Sequence, residues 1–94
     1  MPFETIHNYY ERVVFRAVQD ATRELAAASG TAVDADVIAD MACVALNRLP
    51  ARYIRHDIDL AYYLTDAERE TMDQMIKAAV TFAVDFVQQR ARVF

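Results

Sequence analysis

The chain has one glycine, two prolines, one cysteine and no tryptophan. Turns of an all-β fold draw heavily on glycine and proline, so that class is excluded and helices are the default. Cys43 has no second cysteine to pair with, which rules out an internal disulfide. Cations are not in surplus either: ten Lys and Arg stand against fourteen Asp and Glu, a net charge of −4. General nucleic-acid binding needs clustered cations in excess over neighbouring acids, so DNA is not the expected partner. There is no basic-then-apolar leader and no uninterrupted apolar run of membrane-spanning length, and a cytoplasmic protein without membrane attachment is expected.

What is present is apolar. Residues of that kind make up 55% of the 94 positions and charged ones 26%, too apolar a mixture for a disordered chain. A chain of this length fills one core, so residues 1–94 are expected to form a single domain. No internal repeat or low-complexity segment divides it.

Three helical blocks follow from periodicity. From Glu4 to about Ala28, Ile6, Tyr10, Val13, Val14, Ala17, Val18, Ala21 and Leu25 recur at steps of three and four, while Arg12, Arg16, Gln19 and Arg23 fall on the opposite side. Ser29-Gly30-Thr31 ends this helix, and Asp34 or Asp36 caps the next. The second block, about Asp36 to Arg48, is apolar on nearly every side, which predicts burial all round, with Asp40 and Asn47 as a narrow polar seam and Cys43 as a small core residue. Pro50 stops it. The stretch ARYIRHDIDLAYYL is too irregular for a helix and too apolar for a linker, and a short extended or single-turn segment packed by Tyr53, Ile54, Ile58 and Leu60 is expected there. Thr65 and Glu68 have the spacing of a capping box, opening a third helix that runs to about Arg90 with Met72, Met75, Ile76, Ala79, Phe82, Ala83 and Phe86 as its main stripe. The fold class is therefore all-α, a small bundle of three main helices with a short irregular segment after the second. Its surplus apolar surface predicts a symmetric homodimer.

The inventory for catalysis is thin, and no enzyme is expected. His56, Asp57 and Asp59 resemble part of a metal phosphohydrolase site, but that chemistry needs further His and Asp ligands and only His7 remains. Ser29 sits in a turn, and Cys43 lies in the apolar helix where a thiolate is disfavoured. Glu11, Asp40 and Asp57 have no sequence signal pairing them for acid and base roles.

Binding has one stronger signal. Met41 to His56 contains no acid and carries Arg48, Arg52 and Arg55 with Tyr53 and His56 interleaved; among all ten basic residues only Lys77 is a lysine. Arginine's rigid fork of donors suits phosphates and guanine edges. The plainer reading has these arginines paired with Asp57, Asp59 and the helix end.

Ala45 to Ile54 reads ALNRLPARYI, which resembles the A-L-N-R-L-P-P-x-Y signature of the late competence development protein ComFB family, with Ala51 in place of the second proline. Upstream, Asn8, Tyr9, Glu11 and Val13 match a second element, N-Y-x-E-x-V. The resemblance implies a small, helical, dimeric, non-catalytic cytosolic protein of a family that includes receptors for cyclic dinucleotides, chiefly cyclic di-GMP. Some members carry a cysteine cluster before the signature and are associated with zinc. Thr31 to Asp40 has no cysteine here, so neither metal nor other cofactor is expected.

Cyclic di-GMP needs arginine forks for phosphates and guanines, a flat aromatic face, and carboxylate or amide acceptors. The candidate ligand-binding residues are Arg48, Arg52, Tyr53 and Arg55, with Asn47, Asn8 and Glu11 as polar contacts to the base; Asn8, Glu11 and Asn47 have the alternative role of tying helix ends together inside the dimer. The expected partners are cyclic di-GMP, or cyclic di-AMP in its place, a second copy of the chain, and a downstream protein. A dimeric adaptor with no nucleotide ligand and a DNA-binding regulator are the competing functions.

Overall fold

The apolar spacing that begins at Ile6 takes helical form only from Tyr10 onward. The computed structural model describes residues 2–93, with side chains from Pro2 to Arg90. Helix α1 spans Tyr10–Ser29, α2 Ala35–Asn47, α3 Asp57–Tyr63 and α4 Asp66–Val93. Two dipeptide strands, β1 (His7–Asn8) and β2 (Tyr53–Ile54), pair antiparallel with His7 opposite Ile54 and Asn8 opposite Tyr53. This pairing overrides the helical spacing at the N-terminal end: Ile6 lies outside the helix and is exposed.

Local signals act where their physics is local. Gly30 adopts φ 75°, a left-handed geometry open to glycine, and its N–H donates to Ala26 O at 2.8 Å to close α1. Asp34 Oδ1 accepts from Asp36 N–H at 2.8 Å and caps α2. Thr65 Oγ1 accepts from Glu68 N–H at 3.1 Å, the Thr half of the expected box, and α4 starts behind it.

The core forms where α4 crosses α1 and α2. Tyr10, Val14, Val18 and Thr22 supply one row from α1, Met41, Ala42 and Ala45 come from α2, and Met72, Ala79, Val80, Ala83 and Val87 come from α4. Leu49 and Leu60 join them from the connecting segments. Val14, Val18 and Met41 are the largest side chains fully enclosed.

Three expectations are corrected. Helix α2 is buried on one side only: α1 and α4 take that side, and Ala39, Asp40, Cys43 and Asn47 face outward, so Cys43 is not a core residue. A fourth helix, α3, stands where a short irregular segment is expected. Of the four residues expected to pack that segment, Leu60 is buried and Ile54 half-buried, whereas Tyr53 and Ile58 point to solvent. On α4, Phe82 is turned partly outward, 39% exposed, because Ala79 and Ala83 take the inward positions beside it.

Candidate functional site

Pro50 and the buried Leu49 turn the chain sharply after α2, and the two sides of this turn carry the candidate residues to different neighbours. On one side, the Arg48 guanidinium lies 3.8 Å from the centroid of the Phe82 ring. Phe82 stacks on Phe86, centroids 5.5 Å apart at 18°, and Arg90 stands 5.4 Å over Phe86. Two arginines thus flank two stacked phenyl rings on the α2–α4 face, each attracted to the negative face of its ring.

On the other side, Arg52 and Tyr53 enter the strand pair. Asn8 Oδ1 accepts from Arg52 N–H at 3.0 Å and from Tyr10 N–H at 3.3 Å, while Tyr9 N–H donates to Arg52 O at 2.8 Å. The backbone of Arg52 is therefore held at both its donor and its acceptor, and its side chain is exposed. Tyr53 is 70% exposed, and Arg55 is exposed just beyond it. Tyr10, buried beneath, has its phenol held above the ordinary range by burial, an effect the Arg52 charge partly offsets.

Asn8, Arg52 and Tyr53 thus come together, Arg48 is engaged with Phe82, and Glu11 is elsewhere. Glu11 lines a cleft of about 540 Å³ with His7, Arg12, Arg16 and Asp57. Asn47 is the exposed last residue of α2. The amide oxygen of Asn8 serves two backbone N–H groups of its own chain, one beside β2 and one at the start of α1.

Sequence reading missed the partner of Asp57. Its carboxylate bonds not to the neighbouring His56 but to His7, whose Nε2 donates to Oδ1 at 2.8 Å, with Arg12 Nη1 at 3.6 Å from Oδ2. His7 Nδ1 lies 2.8 Å from Thr5 O. Both ring nitrogens face acceptors, so the doubly protonated imidazole satisfies both. The His7 pKa is raised, first by the Asp57 hydrogen bond and then by the Thr5 carbonyl, with desolvation opposing them. No sequence signal marks this pair, because it depends on the register of β1 against β2.

Among the described residues, no group of three or more His, Cys, Asp or Glu side chains is placed to hold a metal ion, and no helix is long and apolar enough to cross a membrane. The sequence profile of the late competence development protein ComFB family matches residues 7–91. The chain belongs to the ComFB family. No match is found among curated proteins or among solved structures. The match begins at His7, so the ComFB unit includes β1 together with everything it pairs with. Within it, the signature-like stretch Ala45–Ile54 covers the end of α2, the Leu49–Pro50 turn and β2, and the upstream element covers the residues that clamp β2 in place.

Proposed function

We propose that this ComFB chain is a non-enzymatic cytosolic receptor for a cyclic dinucleotide, cyclic di-GMP in the first place, and that it relays the signal to a protein partner. The observation that carries the reading is the acid-free stretch from Met41 to His56, in which Arg48, Arg52, Tyr53 and Arg55 are all exposed. Arginine forks match phosphate oxygens and guanine edges, and the face of Tyr53 offers a stacking surface for a base. Because the backbone of Arg52 is already fixed by Asn8 and Tyr9, less ordering is required when its side chain engages a ligand. Asn47 supplies an acceptor for guanine N–H groups and Asn8 contributes through the position of Arg52, whereas Glu11, in the separate cleft with His7 and Asp57, is left out of this contact set.

A two-fold homodimer belongs to the same reading, since a two-fold ligand is matched by a pair of chains presenting every group twice. Apolar surface for the second copy lies on the α2–α4 face, where Val37, Val44, Phe86 and Val87 line a groove of about 430 Å³ beside Cys43.

Calorimetric titration with cyclic di-GMP, cyclic di-AMP and GTP tests the proposal. Arg48→Ala, Arg52→Ala, Arg55→Ala and Tyr53→Ala, each checked for folding by circular dichroism, are expected to weaken binding by about ten- to a hundredfold where the side chain makes a direct contact. Absence of heat with every nucleotide at about 100 μM, or four variants that bind as tightly as wild type, would replace this reading with the protein adaptor. A DNA mobility shift at low salt would favour the regulator instead.

A further inference from the structure

The net charge of the chain is concentrated in one place. Residues 57–70 hold Asp57, Asp59, Asp66, Glu68 and Glu70 against Arg69 alone, a balance of −4; the other nine acids and nine bases cancel. The same segment carries the two most exposed large apolar side chains among the described residues, Tyr62 at 85% and Tyr63 at 81%, with Ile58 at 68% beside them.

Helix α3 turns these residues outward for a geometric reason. Leu60 enters the core and Asp57 is drawn to His7 and Arg12. Positions four apart share a face, so Ile58 lies beside Tyr62 and Asp59 beside Tyr63, all on the side left open. The far end is held as well: Leu64 N–H donates to Leu60 O at 3.2 Å, and Arg69 Nη2 to Ala61 O at 3.4 Å.

We propose that this face of α3 is a docking surface for a basic, arginine-rich segment of a partner protein. Tyrosine rings attract a guanidinium to their faces, and a tyrosine centre inside a charged rim is a common form of interaction hot spot. Asp59 lies on this face, and Asp66, Glu68 and Glu70 are exposed in the first two turns of α4 that follow it along the chain, so the segment carries the sign that an arginine-rich segment complements. The same field repels phosphate backbones and anionic lipid. A second copy is the weaker occupant, because outside residues 57–70 its nine acids and nine bases cancel and offer no surplus of cations to this field. The proposal names the kind of protein a receptor of this form would address, yet it rests on charge and exposure and not on the nucleotide.

Its test therefore uses the full chain without nucleotide. Fluorescence anisotropy of a labelled Arg-Ala-Ala repeat peptide is expected to show saturable binding that a Glu-Ala-Ala repeat lacks, with backbone amide shifts confined to residues 57–70. The double variant Tyr62→Ser with Tyr63→Ser changes no charge and no buried side chain, and is expected to weaken binding about tenfold. Phe3→Ser, which removes a comparably exposed aromatic elsewhere, is expected to leave it unchanged. Absence of binding by the Arg peptide overturns the proposal. So does equal binding by wild type and the double variant, which would mean undirected charge attraction. A doubled wild-type mass that the double variant halves assigns the face to a second copy and overturns it as well.

Discussion

The imidazole of His7 donates through Nε2 to Asp57 Oδ1 at 2.8 Å, joining the first strand to the first turn of α3 across 50 residues of sequence. Its other nitrogen lies 2.8 Å from Thr5 O, so the arrangement suits the protonated ring. The pKa of His7 is raised above its ordinary 6.5 in the folded chain, principally by Asp57, with Thr5 O and the nearby Glu11 acting in the same direction. The stabilising contribution is therefore fully present below about 6.5 and is lost as pH rises through the folded-state value. Proton NMR is expected to show the His7 ring titrating at higher pH in wild type than in Asp57→Asn. Thermal melts from about pH 6 to about pH 8 are expected to fall more steeply in wild type than in His7→Ala. Equal midpoints for wild type and Asp57→Asn would show that the bond carries no preference for the protonated ring.

Asn8 separates architecture from recognition. Its Oδ1 serves two backbone donors, Arg52 N–H and Tyr10 N–H, and removing a partly enclosed acceptor of this kind costs about 1 to 3 kcal/mol. Asn8→Ala is expected to lower the melting temperature and weaken cyclic di-GMP binding together, whereas Asn8→Asp, which keeps an acceptor oxygen, retains the stability. Arg52→Ala is expected to weaken binding while changing stability by no more than about 0.5 kcal/mol. Unfolding of the chain by Arg52→Ala would instead assign that side chain a structural role.

Light scattering is expected to give about twice the 10.7 kDa of one chain. Phe82 is the place to disturb the dimer, since it is partly exposed in one chain and lies on the proposed seam. An Asp there is tolerated by the single chain but removes the ring that Arg48 and Phe86 pack on and puts a charge into the assembled apolar face, costing about 3 kcal/mol or more. Phe82→Asp is thus expected to give a single-chain mass with a folded circular dichroism spectrum. A single-chain mass for wild type removes the dimer from the proposal.

The one-sided burial of α2 has its own check. Met41 is fully enclosed, and Met41→Ala is expected to cost about 2 to 5 kcal/mol in urea unfolding. Cys43, two residues on and exposed, is expected to tolerate Ala within about 0.5 kcal/mol. Similar losses at both positions would restore burial on all sides.

What was legible in the sequence was what a few neighbouring residues decide. Gly30, Asp34 and Thr65 each act on a backbone group within four positions, and all three helix ends fall where their chemistry places them. The strand pair was not legible, because Ile6 fits a helical spacing and the competing partner of Asn8 lies 44 residues away. Helix α3 escaped notice because only Leu60 on it is buried, which leaves no apolar period to read. Apolar composition around α2 predicts burial on every side, but composition does not say which neighbours arrive, and only α1 and α4 do. The exposed basic stretch was visible as a run without acids. The seat of Arg48 on Phe82 was not, because it joins the end of one helix to the middle of another.

The strand pair also orders the events by which the chain assembles. Residues 8 and 53 bracket α1, α2 and the turn between them, so bringing the ends of that long stretch together from an open chain carries a closure cost that four backbone-paired residues are too few to offset. Docking α1 against α2 through Val14, Val18 and Met41 removes most of that cost by shortening the gap before the strands meet. The pairing is then the last contact to form and the first to open, and it reports on the helices beneath it. A cavity made at Val14 or Met41, in the core beneath, would therefore loosen the edge that presents Arg52 and Tyr53, and amide exchange at Tyr9 and Arg52, whose N–H groups bond to Arg52 O and Asn8 Oδ1, would register the damage well before the helices themselves unfold.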